Sequence, residues 1–244
     1  MSLSAQTVSA QTVSAQTVSA KTGVRAVVFD AYGTLLDVHA AMARHADRLP
    51  PDWERISAEW RSKQLEYTWV RSLTGPAHHL DFWTLTQDDL AFVAARHGLT
   101  DPAVRALLLD AYRVLPAYAD VAATLGALRA QGLQTAILSN ADPRMLDAAV
   151  SGAGLRPLLD AVISVEEARV FKPDPRVYPL MTQRFGVSPQ QIAFVSSNAW
   201  DAQAAAAFGA QVFWCNRTGQ PDEYGLHGAA TVITGLAALP RHLA

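Results

Sequence analysis

The chain has one cysteine, no long apolar run and no excess charge of either sign. Since Cys215 is the one thiol among 244 residues, an intrachain disulfide framework is excluded, and this usage is typical of a reducing cytosol. The apolar runs reach roughly seven residues, far short of the roughly 18 that a membrane helix needs. The formal net charge of −2 lacks the basic field of generic nucleic-acid and anionic-membrane binders. We expect a cytoplasmic protein with no nucleic-acid and no membrane partner.

What the sequence does contain is enough apolar material for a sizeable core. Half of the residues are hydrophobic and 17% are charged, which excludes a disordered chain. Residues 1–21 differ, because the pentapeptide Ser-Ala-Gln-Thr-Val occurs three times in residues 4–18 and no charge precedes Lys21. The basic start and apolar centre of a secretory signal are both missing. We interpret residues 1–21 as a low-complexity arm without a catalytic part.

Short apolar segments alternate with helical patterns through most of the remaining chain. Strands are predicted at residues 25–29, 133–138, 161–165, 192–195 and 212–214. Helices are predicted at 118–131, 142–151, 175–185 and 199–208, closed by Gly132, Gly152, Gly186 and Gly209, since glycine accepts the left-handed conformation at a helix end. The alternation predicts an α/β fold with a Rossmann-like, doubly wound parallel sheet and helices on both faces.

Residues 38–115 interrupt this alternation. They carry helical patterns near 38–48, 52–72, 79–97 and 103–113 and no convincing strand. We therefore predict a helical cap over residues 38–115, inserted after the first strand into a core of residues 22–37 and 116–244. Open α/β sheets bind ligands at the carboxyl ends of their strands, and the cap would close over that edge.

Polar or charged side chains follow four of the predicted strands. They are Asp30, then Ser139 and Asn140, then Lys172, then Ser196, Ser197, Asn198 and Asp201. Ordinary polar loops would explain one such residue. Two carboxylates and a lysine delivered in succession to one sheet edge indicate a functional site.

These segments, in order, resemble the four motifs of the haloacid dehalogenase superfamily. The matching stretches are Asp30-Ala31-Tyr32-Gly33-Thr34-Leu35, Leu138-Ser139-Asn140, Phe171-Lys172-Pro173-Asp174 and Ser196-Ser197-Asn198-Ala199-Trp200-Asp201. The cap segment from Trp60 to Trp69 is similar to that of the L-2-haloacid dehalogenases. The resemblance covers residues 24–235.

Two positions depart from the phosphatases of that superfamily. Tyr32 stands where they carry a second Asp as general acid, and Ser197 stands where they carry an Asp that helps to hold Mg²⁺. Mg²⁺ is usually bound through carboxylates and substrate phosphate. We therefore predict no metal and no cofactor. A carboxylate nucleophile without a metal suits displacement at carbon.

The resemblance implies a catalytic set of Asp30, Thr34, Arg61, Lys172 and Asp201. Asp30 would be the nucleophile that forms an ester intermediate, the structural alternative being a helix N-cap. Thr34 would hydrogen-bond Asp30 or its turn. Asp201 would be the base for ester hydrolysis, either directly or through its pairing with Lys172.

Helical spacing places Arg61 on one face with Leu65, Thr68 and Trp69. Its structural alternative is an arginine that reaches solvent along its stem. The resemblance implies instead that Arg61 and Asn140 bind the halide, where each preorganised donor is worth roughly 3–4 kcal/mol.

The resemblance further implies a substrate-binding set whose members hold the carboxylate, support the polar network or form apolar walls. Ser139 and Lys172 would hold the substrate carboxylate, helped by backbone N–H groups just after Asp30. The whole set is Tyr32, Ser139, Asn140, Tyr178, Ser196, Asn198, Leu65, Phe82 and Trp200.

The resulting hypothesis is an enzyme that converts small (S)-2-haloalkanoates to (R)-2-hydroxyalkanoates and halide, with inversion. Relatives suggest a homodimer through the helix at 52–72. A phosphatase of the same superfamily and a catalytically silent binder of small carboxylates remain the alternatives. His78 and His79 are adjacent and so do not share a helix face as a zinc pair would, and Cys215 is interpreted as a buried apolar residue.

Overall fold

Residues 23–244 are described by the computed structural model, so the arm predicted at residues 1–21 lies outside the described residues. The core is a sheet of six strands: β1 (Ala26–Phe29), β2 (Gln134–Ser139), β3 (Ala161–Ser164), β4 (Ile192–Ser196), β5 (Gln211–Cys215) and β6 (Thr231–Ile233). Their order is β3-β2-β1-β4-β5-β6 and every pairing is parallel. The chain winds outward from β1 in both directions, which confirms the doubly wound α/β fold.

Helices cover the sheet and complete the core. They are α5 (Val121–Ala130), α6 (Pro143–Gly152), α7 (Pro179–Phe185), α8 (Ala199–Phe208), α9 (Leu226–Ala229) and α10 (Leu239–His242). All four residues of β1 are buried, as expected of a central parallel strand that is covered on both faces. The sequence prediction missed β6, because it has three residues of which two are exposed and so lacks an apolar run.

Two details of the predicted helices are corrected. Gly132, Gly186 and Gly209 follow their helices with φ of 83°, 63° and 98°, but Gly152 is the last residue of α6, and Gly154, with φ of 68°, takes the left-handed position. The helix predicted from residue 175 begins at Pro179. The carboxylate of Asp174 accepts hydrogen bonds from the backbone and the guanidinium of Arg176, which stabilises a turn there instead.

The inserted segment is helical. It contains α1 (Ala40–Ala43), α2 (Trp53–Leu73), α3 (Phe82–Arg96) and α4 (Pro102–Arg113). The single helix predicted at 38–48 is wrong, since α1 is one turn followed by a 3₁₀ turn at Ala46–Arg48. Asp81 and Asp101 cap α3 and α4 by accepting backbone N–H groups.

Two adjacent connections join the cap to the core. Leu36 and Ala117 form an antiparallel bridge, and the Tyr118 N–H donates to the Leu35 carbonyl at 3.0 Å. The cap therefore sits over the carboxyl end of β1. Within residues 23–244, no helix is both long and apolar enough to cross a membrane.

Candidate active site

The candidate site lies where the winding direction of the sheet reverses. β1 has β2 on one side and β4 on the other, with Phe29 in register with Ile137 and Val195. Asp30 follows β1, while Ser139 and Ser196 end the two neighbouring strands. The parallel arrangement brings all three to one edge, the usual ligand position in such sheets.

Three side chains fix the carboxylate of Asp30, which is 5% exposed. Its Oδ2 accepts the Thr34 hydroxyl at 3.0 Å and the Asn198 amide at 2.7 Å. Its Oδ1 accepts the Lys172 ammonium at 3.1 Å. The Thr34 hydroxyl also accepts the Ser197 N–H at 2.8 Å. The turn after β4 therefore orients Thr34, which in turn orients Asp30.

Lys172 joins the two buried carboxylates of the site. Its fully buried ammonium lies 3.1 Å from Asp30 Oδ1 and 2.9 Å from Asp201 Oδ2, and 5.1 Å from the centre of the Phe194 ring. Burial alone would lower the pKa of Lys172, but the charges of Asp201 and Asp30 outweigh it and raise that pKa. The ammonium therefore stays charged.

Asp201 is held from both sides. Lys172 occupies its Oδ2, and the Tyr178 hydroxyl donates to its Oδ1 at 2.7 Å. Complete burial raises the pKa of Asp201, the Lys172 charge opposes that shift, and the nearby Asp30 adds to it. A carboxylate whose pKa is raised is a stronger proton acceptor than an exposed one.

Arg61 reaches the site from helix α2. One guanidinium nitrogen donates to the Gln64 side-chain oxygen at 2.6 Å and another to the Tyr32 carbonyl at 3.1 Å. Its charge therefore lies above the turn that follows Asp30. The Arg61 side chain does not extend to solvent, because it is half-buried and held by Gln64 and the Tyr32 carbonyl.

The remaining polar residues of the predicted set hold backbone turns around the site. Asn140 Oδ1 accepts the Lys172 backbone N–H at 2.9 Å. Because an amide has one acceptor and one donor end, the Asn140 NH₂ group points away from that turn. The hydroxyls of Ser139 and Ser196 accept the N–H groups of Ala141 and Asn198.

Aromatic and apolar side chains enclose this polar cluster. The Tyr32 ring stacks on Tyr112 at 5.7 Å and meets Phe82 at 6.0 Å. Burial raises the pKa of the Tyr32 phenol well above its usual value, and its hydroxyl has no hydrogen-bond partner among the described residues. Trp200 and Leu65 are half-buried. The structure pairs Trp200 with Trp69, edge to face at 5.8 Å, across the cap and the core.

The donor set does not fit a divalent cation. The Lys172 ammonium already lies between the carboxylates of Asp30 and Asp201. In residues 23–244, no three His, Cys, Asp or Glu side chains are grouped as a metal site requires. His79, one of the adjacent histidines, instead pairs with Glu166 at 3.0 Å and stacks on Phe171.

Comparison with known proteins identifies the family of this chain. A family model for haloacid dehalogenase-like hydrolases matches residues 24–209. The (S)-2-haloacid dehalogenase 1 of Pseudomonas sp. strain CBS-3 is 45% identical over 90% of this chain and 96% of its own length. The chain belongs to the L-2-haloacid dehalogenases.

Solved structures of this family show the same fold. A dehalogenase in an intermediate complex has a TM-score of 0.88 and 42% identity, covering 91% of this chain and 98% of its own. The L-2-haloacid dehalogenase from Xanthobacter autotrophicus, with chloropropionic acid covalently bound, has a TM-score of 0.78 and 38% identity over 89% and 97% of the two chains.

Sequence reasoning missed several side chains that surround Arg61 in this dehalogenase. Gln64 contacts Arg61 at a spacing of three residues, a signal that helical periodicity offers. Tyr112 donates to Gln64 at 2.9 Å, and the indole of Trp60 donates to Asp89 at 2.6 Å. These last contacts join different helices, and nothing in the local sequence indicates which helix faces meet.

Proposed function

We propose that this enzyme hydrolyses small (S)-2-haloalkanoates to (R)-2-hydroxyalkanoates and halide through an ester on Asp30. The observation that carries the proposal is the Asp30 carboxylate. It is oriented by Thr34 and Asn198 and paired with the buried Lys172, and it lies below a guanidinium from the cap.

In the first step, Asp30 Oδ1 attacks C2 of the substrate from the side opposite to the halogen. Oδ1 is the attacking oxygen because Thr34 and Asn198 together hold Oδ2. The new bond joins Oδ1 to C2, and the carbon–halogen bond breaks with its electron pair on the halide. The ester separates one difficult reaction into two easier steps.

Arg61 and the NH₂ group of Asn140 receive the departing halide. Negative charge grows on the halogen as its bond breaks, and donors already placed in a dry site stabilise that charge. Leu65, Phe82, Trp200 and the Tyr32 ring form walls that exclude water from the reacting carbon.

The substrate carboxylate binds beside the turn after β1. The backbone N–H groups of Ala31 and Tyr32 have no hydrogen-bond partner within residues 23–244, and Ser139 ends the adjacent strand. Lys172 contributes its positive charge, which offsets the repulsion between this carboxylate and Asp30.

In the second step, water attacks the carbonyl carbon of the Asp30 ester. Asp201 takes one proton from that water, with Lys172 and Tyr178 holding it in place. The hydroxyl of Thr34 and the amide of Asn198 remain on Oδ2 and stabilise its negative charge. The bond between Oδ1 and the Asp30 carbonyl carbon breaks, and the hydroxyacid leaves with the other proton. C2 is attacked once, so its configuration is inverted.

A single-turnover reaction in ¹⁸O-labelled water tests this mechanism. With enzyme in excess over (S)-2-chloropropionate, the first product should carry unlabelled hydroxyl oxygen, and the label should enter Asp30. Asp30→Asn provides the control, because it should bind the substrate without releasing chloride. Labelled hydroxyl in the first product would show direct attack by water and refute the ester.

We further propose that the enzyme is a cytoplasmic homodimer with no nucleic-acid or membrane partner. Helix α2 exposes Val70 and Leu73, the latter at 87%, and α3 exposes Phe92. Exposed large apolar side chains are found at protein interfaces. The single thiol, Cys215, is buried and free, which suits a reducing compartment. Light scattering in solution and cell fractionation test these two proposals.

A further inference from the structure

A buried carboxyl group in the cap has no place in the reaction described above. Asp89, on α3, is fully buried, and its Oδ1 accepts the Trp60 indole N–H at 2.6 Å. Its Oδ2 is also buried and has no hydrogen-bond partner among the described residues. A buried carboxylate with an unpaired oxygen is costly, so a neutral Asp89 suits this position better than an ionised one.

A continuous set of contacts joins Asp89 to Arg61. The Trp60 ring packs on Tyr112 at 5.0 Å. The Tyr112 hydroxyl and one Arg61 nitrogen both donate to the side-chain oxygen of Gln64, at 2.9 and 2.6 Å. Asp89 is therefore connected to the guanidinium through side chains of α2 and α4.

We propose that Asp89 is a positioning residue for Arg61. Neutral Asp89 supports the position of the Arg61 guanidinium, and ionised Asp89 weakens the binding of halide by that guanidinium. Ionised Asp89 would place a negative charge in the packing behind Arg61, reducing the attraction of the guanidinium for halide and disturbing the Trp60 and Gln64 contacts. The inference rests on the proposed role of Arg61 in halide binding.

The electrostatics of the cap support this assignment. Burial raises the pKa of Asp89 to about 8, with the Trp60 hydrogen bond and the Arg61 charge acting in the opposite direction. The ionisable groups facing it are Arg61 from α2, Tyr112 from α4, and Asp88 on α3 itself. Asp88 is exposed, which makes it a matched control position.

The test compares the wild type with Asp89→Asn and Asp88→Asn between pH 6 and pH 9.5. The wild type should lose roughly tenfold in kcat above pH 8, about the effect of weakening one hydrogen bond to a charged group, with little change in KM. Asp89→Asn cannot ionise and should lack this fall, whereas Asp88→Asn should retain it. An alkaline fall that persists in Asp89→Asn would overturn the proposal.

Thermal unfolding supplies a readout that needs no turnover. Asp89 ionises near pH 4 in the unfolded chain and near pH 8 in the folded one, so the folded state holds an extra proton between these values. The Tm of the wild type relative to Asp89→Asn should therefore fall across this window and level off above it. A constant difference refutes the proposal.

The bromide-induced shift in Tm extends this test to Arg61. That shift should diminish above pH 8 in the wild type and in Asp88→Asn, but not in Asp89→Asn. If it does not, Asp89 does not act on Arg61. Wild-type protein that binds bromide in this way but dehalogenates no 2-haloacid would overturn the proposed function and leave this inference standing.

Discussion

Replacing Lys172 with methionine removes the one ammonium between two buried carboxylates while retaining a similar side-chain volume. Lys172 donates to Asp30 at 3.1 Å and to Asp201 at 2.9 Å. Each hydrogen bond to a charged group contributes about 1.5–3 kcal/mol, so losing both should reduce kcat/KM by roughly 10²–10⁴-fold. Leaving buried charge uncompensated costs about 3–5 kcal/mol of stability, or roughly 6–20 °C in Tm for a chain of this size.

The loss of stability in Lys172→Met should increase as the pH rises. Without the ammonium, the pKa of Asp201, already raised by burial, rises further above its unfolded value. The folded variant then holds a proton that the unfolded chain releases, so its stability relative to the wild type falls as the pH increases from about 4. The difference in Tm should be small in acid and largest at neutral and alkaline pH.

Differential scanning fluorimetry and initial halide-release rates measure these effects on the same samples. The double variant Lys172→Met/Asp201→Asn should recover part of the lost Tm, since it removes one unpaired charge. It should not recover activity. Lys63→Met is the matched control, because the half-buried Lys63 pairs with the exposed Glu66 and such pairs contribute little. A Lys172→Met variant within 2 °C of the wild-type Tm at pH 8, or within tenfold of its kcat/KM, would refute the reasoning.

Three other substitutions test two residues of the site and the proposed dimer surface. Arg61→Lys keeps the charge but loses the simultaneous hydrogen bonds to Gln64 and the Tyr32 carbonyl. The kcat should therefore fall roughly 10²-fold with KM little changed. An unchanged kcat in halide-release assays would contradict a role of Arg61 in halide binding. Thr34→Val removes one donor to Asp30 Oδ2 and should slow ester hydrolysis, so that mass spectrometry detects the esterified protein, while Thr34→Ser should not accumulate it. Leu73→Glu places a charge on the exposed apolar face of α2 and should yield a monomer by light scattering, against a dimeric wild type.

The sheet and its polar edge were predictable because parallel strands share a direction. Each apolar segment ends in the residue that the sheet delivers to its carboxyl edge, as with Asp30 after β1 and Ser196 at the end of β4. Order along the chain therefore indicated proximity in space, without knowledge of the pairing register. Lys172 and Asp201 lie further along the chain, in the loop after β3 and in the first turn of α8, and the Lys172 ammonium lies between Asp30 and Asp201.

The cap was predictable as helices but not as an arrangement of helices. Periodicity placed Arg61 and Thr68 on one face of α2 yet did not indicate that α3 would bring Asp89 to Trp60, a contact between residues 29 apart. Residue type alone does not show whether an aspartate is buried, so the sequence did not indicate that Asp89 is buried and its neighbour Asp88 exposed. Strand β6 escaped detection because two of its residues are exposed.

The two cations of the site act at opposite ends of the proposed displacement. Before reaction, the negative charge of Asp30 lies beside Lys172 in the core; once the ester forms, Asp30 is neutral and that charge resides on the halide beside Arg61 in the cap. The net charge of the site is unchanged, so the reaction moves one charge from a core cation to a cap cation. Under the proposed mechanism, the Arg61 guanidinium must therefore lie above the turn after Asp30, where the Tyr32 carbonyl accepts it, at the moment when the carbon–halogen bond breaks.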